Sequence, residues 1–497
     1  MKYLSLKKTL QNTLPYFAAA AASMLLLFLP PVGSLSGLLF WLWVACGAIL
    51  IVCGFTLFGK GLLSAEYLCT LTALEAFLLR FYYVFYTPWE VRQHDVVGVG
   101  GHLEYIRFFC ENGLTLPQKA DLGLYEFYQF YHPPLYHFIS GMWMKLNILL
   151  GAAEARTLEN LQILTLFYSG CIMILFYRLL RELGLKGTTL VAAFSAAAFS
   201  PTLILLSGSI NNDELCLLFS LLSLLAALRW YKEPSYTGAF CSALALGAAM
   251  LCKGTAVTAV PALILIFSAK LWQERKHWKP VFCQLAVFTI TALPLCLAWN
   301  LYSVISLKLP PGYVPLMSSK HPLYIGNIPL WQRLFHISPG TFFYPYLCWH
   351  PDEHNILLTW IKTSAFGEFR WEFNRMASAV QPQLHYVASI LFTGVLGTAL
   401  FRSLYRAISR RKTEETLPSF FLITTAVFTI SFFIIFCLKW PHIFTQNARY
   451  TSTGLLCAIA VTGLFLQDCK PRTAKVICAI IALYCCSSAF FFLACTR

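Results

Sequence analysis

Residues Pro418 to Leu438 read PSFFLITTAVFTISFFIIFCL, a run without one charged side chain. A helix rises about 1.5 Å per residue, so such a run spans roughly 30 Å, the hydrocarbon thickness of a bilayer. Comparable apolar stretches recur near 14–30, 36–58, 63–86, 158–180, 188–207, 214–230, 237–252, 254–269, 281–302, 384–404, 452–467 and 474–495. The expectation is an all-α polytopic membrane protein of about thirteen transmembrane helices.

Composition agrees with that class. Of 497 residues, 58% are hydrophobic and 12% charged, and mean hydropathy is +0.64. A soluble domain is about 25% charged, so this chain has too few polar groups to cover a globule of its size. The net charge of +15 could suggest nucleic acid. No dense basic arm or zinc-finger spacing accompanies it, and the basic residues cluster in short loops between apolar runs. That is the membrane-orientation signal, so the partner is a membrane and not a nucleic acid. Cys46, Cys171, Cys437 and Cys478 sit inside apolar runs, where cysteine behaves as a small hydrophobe. Lys2, Lys7 and Lys8 before the apolar stretch from Pro15 resemble a signal peptide without a cleavage site, and read as a retained first span.

With the N-terminus inside, alternation places Lys60, the Arg178–Lys186 group, Arg229 and Lys232, Lys270–Lys279, Arg402–Lys412 and Lys470–Lys475 on the inner face. Pro133 to Gly151 would reverse this parity if it crossed, so it is expected to lie on the outer face as an amphipathic helix. The chain then divides into N-terminal spans (1–62), a module at 63–302 that includes an outer loop at 87–157, a second long outer loop at 303–383, and C-terminal spans at 384–497. Loops of such length in a compact protein usually carry function.

The first outer loop opens Arg92-Gln93-His94-Asp95, followed by Gly100-Gly101-His102-Leu103-Glu104-Tyr105. A carboxylate just beyond a span can act as general base toward a hydroxyl or amine. The plainer alternative is a loop Asp that caps the helix around His102–Cys110. Tyr131-His132-Pro133-Pro134 follows, where the double proline fixes an extended approach to the next helix. Asn211-Asn212-Asp213-Glu214 and Cys252-Lys253-Gly254 form two turns. An ionisable group as deep as Lys253 is a functional candidate, with a snorkelling lysine as the alternative. Arg449, beside Tyr450, suits phosphate recognition, of a substrate or of a lipid headgroup. The loop-charge topology puts Asp95, His132, Asp213, Lys253 and Arg449 on one face. A base and several cations together suit displacement of a phosphate leaving group from a lipid-anchored donor.

The order and spacing of these motifs resemble the GT-C superfamily of membrane glycosyltransferases, in its dolichyl-phosphate-mannose-protein mannosyltransferase-like and aminoarabinose-transferase-like bacterial branch. The likeness runs over residues 62–270, with fainter matches at Lys362–Gly367 and Gln446–Tyr450. The resemblance implies a GT-C-type fold and an inverting transfer from a polyprenyl-phosphate sugar to an acceptor lipid, glycan or protein. It implies Asp95 as base, His132, Lys253 and Arg449 as donor-phosphate ligands, and His102, Glu104, Tyr131, Asp213, Lys362 and Tyr450 as supporting residues. His132 stands where the aminoarabinose branch usually has Lys, Val96 follows Asp95 where the protein mannosyltransferases have Glu, and two extra spans precede the motifs. No cofactor is demanded, although a divalent metal shared by Asp95, His102 and Asp213 stays open. Outer-face chemistry fits the periplasmic side of a bacterial membrane or an ER lumen, and the branch favours a multi-pass protein of the bacterial cytoplasmic membrane with its site facing the periplasm. A secondary transporter or a lipid-linked glycan polymerase or ligase are the alternatives, but no repeated halves mark a transporter.

Overall fold

The computed structural model describes residues 2–28, 37–96, 101–119, 129–315, 318–348, 350–371, 380–409 and 413–494. These form α1 (Lys2–Met24), α2 (Gly37–Gly59), α3 (Ala65–Tyr86), α4 (His102–Asn112), α5 (Leu135–Leu149), α6 (Glu154–Glu182), α7 (Gly187–Ala198), α8 (Pro201–Leu206), α9 (Asp213–Lys232) and α10 (Tyr236–Cys252). They continue with α11 (Val260–Gln273), α12 (Trp278–Ile305), α13 (Leu330–Phe335), α14 (Pro339–Phe343), α15 (Ile356–Phe366), α16 (Val380–Ser409), α17 (Thr413–Lys439), α18 (Ser452–Gln467) and α19 (Pro471–Ala494). The described residues contain no strand, only an isolated antiparallel bridge between Tyr324 and His442. The all-α multi-pass architecture is as expected.

Nine of the expected thirteen spans are matched among the described residues by helices long enough to cross. Among the described residues nine helices are long and apolar enough to cross, those built on α3, α6, α9, α11, α12, α16, α17, α18 and α19. The other four expected spans fall on α1, α2, the α7–α8 pair and α10. The stretch at 188–207 is not one helix. Pro201 removes a backbone donor and starts α8 at its first position, so α7 ends at Ala198. Arg80 of α3, fully buried, donates to the freed Ala198 carbonyl (2.6 Å) and to Ser169 Oγ (3.1 Å). A broken helix inside a membrane needs such a donor, because no water is there to supply one.

Pro133 to Gly151 does form a helix, α5, too short to be a span. It packs on α4 through Gly141, where a Cβ would meet the Ile106 carbonyl at 2.8 Å. Its buried side includes Tyr136, His137 and Ser140, while Leu146, Ile148 and Leu149 are exposed. That two-faced pattern fits a helix lying along the bundle's end. The α9–α10 and α10–α12 pairs and the α17–α18 pair form the walls that hold the site. α15 is a further helix in the segment at 303–383, which was expected to be a loop.

Candidate active site

After α3 the chain turns through Arg92 and Asp95, both with φ 55°. That left-handed conformation is disfavoured for residues with a Cβ and persists where surroundings impose it. Here Gln93 Nε2 donates to the Gly208 carbonyl (2.9 Å), its Oε1 accepts from Ile210 N (2.8 Å), and the Arg92 guanidinium lies 4.1 Å from the Trp371 ring centre. The helix that follows is capped by backbone. His102 N donates to the Asp95 carbonyl (2.8 Å) and Leu103 N to the Val96 carbonyl (3.3 Å). A Cβ on Gly101 would stand 2.4 Å from the Val96 carbonyl, so this closure requires glycine. The capping duty considered for the Asp95 side chain therefore falls to its main chain, and the carboxylate points elsewhere.

It points to Arg449, whose Nη2 donates to Asp95 Oδ2 at 3.1 Å and to the Tyr450 hydroxyl at 3.0 Å. Arg449 sits on a short turn, Ala448–Thr451, whose first amides are held by Asn447 Oδ1 (2.9 Å) and Thr363 Oγ1 (3.0 Å). Its Nε lies 4.0 Å from Asp213 Oδ2, so one guanidinium faces two carboxylates. The other oxygen, Asp213 Oδ1, accepts from Lys253 Nζ at 2.6 Å, and both of those side chains are 7% exposed. The two turns that carry this pair are joined, since Asn212 Nδ2 donates to the Cys252 carbonyl at 3.0 Å. Lys253 and Arg449 each stand 4.9 Å from the centre of the Tyr450 ring, within cation–π range.

Histidines line the adjoining wall. The rings of His102 and His132 stack at 5.7 Å, and His102 Nδ1 lies 2.8 Å from His137 Nε2. Burial, reinforced by the Lys253 charge, holds His102 and His132 well below the ordinary histidine value. Burial does the same to His137, helped by His102. The imidazoles are neutral at physiological pH, so they carry hydrogen-bonding nitrogens and no positive charge. Tyr131, its phenol pushed up by burial, stays protonated, and its carbonyl accepts from Trp299 Nε1 at 2.9 Å.

These groups border a cavity of about 470 Å³. Asp95, His102, Tyr131, His132, Lys253, Arg449 and Tyr450 line it, with Asp213 directly behind Lys253. Met250, Val257, Phe432, Phe433 and Phe436 add apolar side chains to the same lining, with the Phe436 ring 5.3 Å from that of Tyr450. Glu104 and Lys362 are not among the lining residues. Lys362 is fully buried against Glu353 (2.5 Å) on the far side of the turn that carries Arg449. Gln446 Nε2 donates to the Glu353 carbonyl (3.2 Å), so this pair braces that turn. Residues 97–100, which include Gly100 of the first outer-loop motif, lie outside the described residues. Among the described residues no group of three or more His, Cys, Asp or Glu is arranged to hold a metal ion. Asp95 and Asp213, weighed as metal ligands, both turn toward Arg449.

Sequence reasoning missed Glu368. Its Oε1 accepts from Asn447 Nδ2, and its Oε2 lies 3.3 Å from His94 Nδ1. Burial works to raise this carboxyl, but His94 and Arg449 outweigh it and hold Glu368 below its ordinary value. The signal available was slight: Glu368 adjoins the Lys362–Gly367 stretch. Trp299 was hidden inside an apolar run.

The fold and site define a multi-pass helical membrane protein with a cavity lined by both charged and apolar side chains. Residues 131–299 match the family described as Dolichyl-phosphate-mannose-protein mannosyltransferase. This bears out the resemblance to the GT-C membrane glycosyltransferases. Similar solved structures include ArnT from Cupriavidus metallidurans bound to undecaprenyl phosphate, at 13% identity and TM-score 0.46, over 86% of this chain and 76% of that one. Another is the archaeal oligosaccharyltransferase AglB from Archaeoglobus fulgidus with an inhibitory peptide and a dolichol-phosphate, at 12% identity and TM-score 0.48, over 86% and 56%. The chain thus spans little more than half of the archaeal enzyme's length. No curated protein sequence matches the chain.

Proposed function

We propose that this protein transfers a sugar from a polyprenyl-phosphate donor to an acceptor hydroxyl or amine on the extracytoplasmic face, with inversion at the anomeric carbon. The observation that carries this reading is the mixed lining of one cavity: Asp95, Arg449 and Lys253 together with Phe432, Phe436 and Val257. A donor with a charged head and a hydrocarbon tail matches that lining in chemistry. The matched family's description names a donor of the same class.

In this mechanism Asp95 accepts the proton of the acceptor as its oxygen or nitrogen attacks the anomeric carbon. The bond from that carbon to the phosphate oxygen breaks, and polyprenyl phosphate leaves. Arg449 holds Asp95 Oδ2, which leaves Oδ1 to take the proton. Arg449 and Lys253 offset charge gathering on the phosphate, while the His132 imidazole serves as a neutral hydrogen-bond partner. A fixed cation in a site shielded from water stabilises that charge far more than one in bulk water.

The test is sugar transfer in proteoliposomes supplied with a panel of radiolabelled polyprenyl-phosphate sugars, wild type beside Asp95→Asn. Turnover by wild type is expected, with a loss of roughly 10²–10⁴-fold in the variant and donor binding largely retained. Full activity of Asp95→Asn removes Asp95 as base. No turnover of any donor by folded wild-type protein overturns the reading.

A further inference from the structure

Residues 330–344 expose an apolar surface although they belong to none of the spans. Leu330 (53% exposed), Trp331 (58%), Phe335 (79%), Ile337 (40%), Phe343 (75%) and Tyr344 (40%) all present large side chains outward from α13, α14 and the links beside them. An aqueous setting would leave an apolar patch of this kind wet, which proteins avoid unless something covers it.

The same segment is pinned at three points. Arg333 is buried, and its Nη2 donates to the Cys437 carbonyl at 2.6 Å, two residues before α17 ends at Lys439. Phe342 turns inward, its ring 6.4 Å from that of Tyr386 in the second turn of α16. α16 and α17 are consecutive and pack on each other, so the start of one and the end of the other lie at one level, where the bundle leaves the hydrocarbon. The Asn355 side chain ties the link between the two short helices by donating to the His336 carbonyl at 3.1 Å.

At this level the outer surfaces of both spans carry exposed apolar side chains: Leu384 and Val387 on α16 and Ile435 on α17 are 46%, 49% and 62% exposed. In a multi-pass protein those side chains face lipid. The patch at 330–344 therefore lies next to a lipid-facing surface. It also carries Trp331 and Tyr344, the residue types that favour the water–lipid boundary.

We propose that residues 330–344 form an interfacial strap that lies in the surface of the bilayer, its apolar side chains among the lipid headgroups and upper acyl chains. The occupant of this face is lipid, not a second copy of the chain and not a soluble partner. The strap's anchor, Cys437, lies between Phe436 and Lys439, which line the cavity, so the strap stands beside the wall that a lipid-tailed molecule would pass. The proposal holds whatever reaction the cavity performs.

The test is photo-crosslinking of the full chain in phospholipid vesicles. p-Benzoylphenylalanine replaces Phe335 in one variant and Phe343 in another, with the exposed Lys320 as control position; each protein is first shown to be monodisperse. After irradiation, mass spectrometry is expected to find phospholipid adducts at 335 and 343 at least tenfold above those at 320. Equal yields at all three positions, absence of lipid adducts, or capture of a second copy of the chain overturns the proposal. If the Phe335 variant misfolds, the Phe343 variant decides alone.

Discussion

Arg449 reaches two carboxylates from one side chain, Asp95 through Nη2 and Asp213 near Nε. A planar guanidinium can do this, whereas an ammonium is a single compact charge. Arg449→Lys is expected to reduce kcat/KM for sugar transfer at least tenfold while the protein still folds; unchanged kinetics would show that the fork geometry is not used. Lys253 raises a different question, because its charge is engaged by Asp213 inside the protein. Removing one member of a buried pair leaves the other unpaired, at a penalty of about 3–5 kcal/mol. Lys253→Ala is expected to lower thermal stability as well as donor affinity, and Lys253→Ala with Asp213→Asn to recover part of the stability. A single variant as stable as wild type would mean that Asp213 finds water.

The elements that carry these side chains have their own vulnerable points. α4 begins where it does because Gly101 lets the chain pass within contact of the Val96 carbonyl. Gly101→Ala forces that carbonyl aside, a strain of about 1–3 kcal/mol, and displaces the Asp95 segment that the carbonyl belongs to. Transfer is expected to fall much more than melting temperature does; parallel activity and thermal-melt measurements on the variant check this. α15 presents the second buried pair, Lys362 with Glu353, both with no exposure. Lys362→Met should destabilise strongly, and Lys362→Met with Glu353→Leu should regain most of the loss, since a well-filled apolar pair can replace a buried ionic one. A double variant no better than the single would show that the pair orders the Arg449 turn beyond its own charge balance.

For the molecule as a whole, the buried neutral histidines couple stability to pH. His102, His132 and His137 are held below the ordinary value near 6.5, mainly by burial. Below pH 6.5 the unfolded chain binds protons at these positions that the folded chain does not. Stability is then lost as pH falls, by up to about 1.4 kcal/mol per pH unit for each histidine. Thermal melts in detergent between pH 7.5 and 5 are expected to show a declining midpoint, and a flatter decline in a His137→Gln variant. A flat profile in the wild type would place all three rings in contact with water.

Long apolar runs by themselves determined the class and most of the spans, because a bilayer demands a fixed helix length and no polar groups. The motifs around Asp95, His132, Lys253 and Arg449 named side chains that the fold then brought together around one cavity. The break at Phe199–Ser200 was half legible, in Pro201; its stabilising partner Arg80 lies far away in sequence and became visible only in the folded bundle. The same holds for the pairings. Asp95 with Arg449, Lys362 with Glu353, and Glu368 with His94 depend on distances between segments that only helix packing sets. A local pattern can mark a group as polar in an apolar context, but which opposite charge will neutralise it is a tertiary question. The apolar strap at 330–344 is of the same kind, since its exposure is defined by what the neighbouring helices leave uncovered.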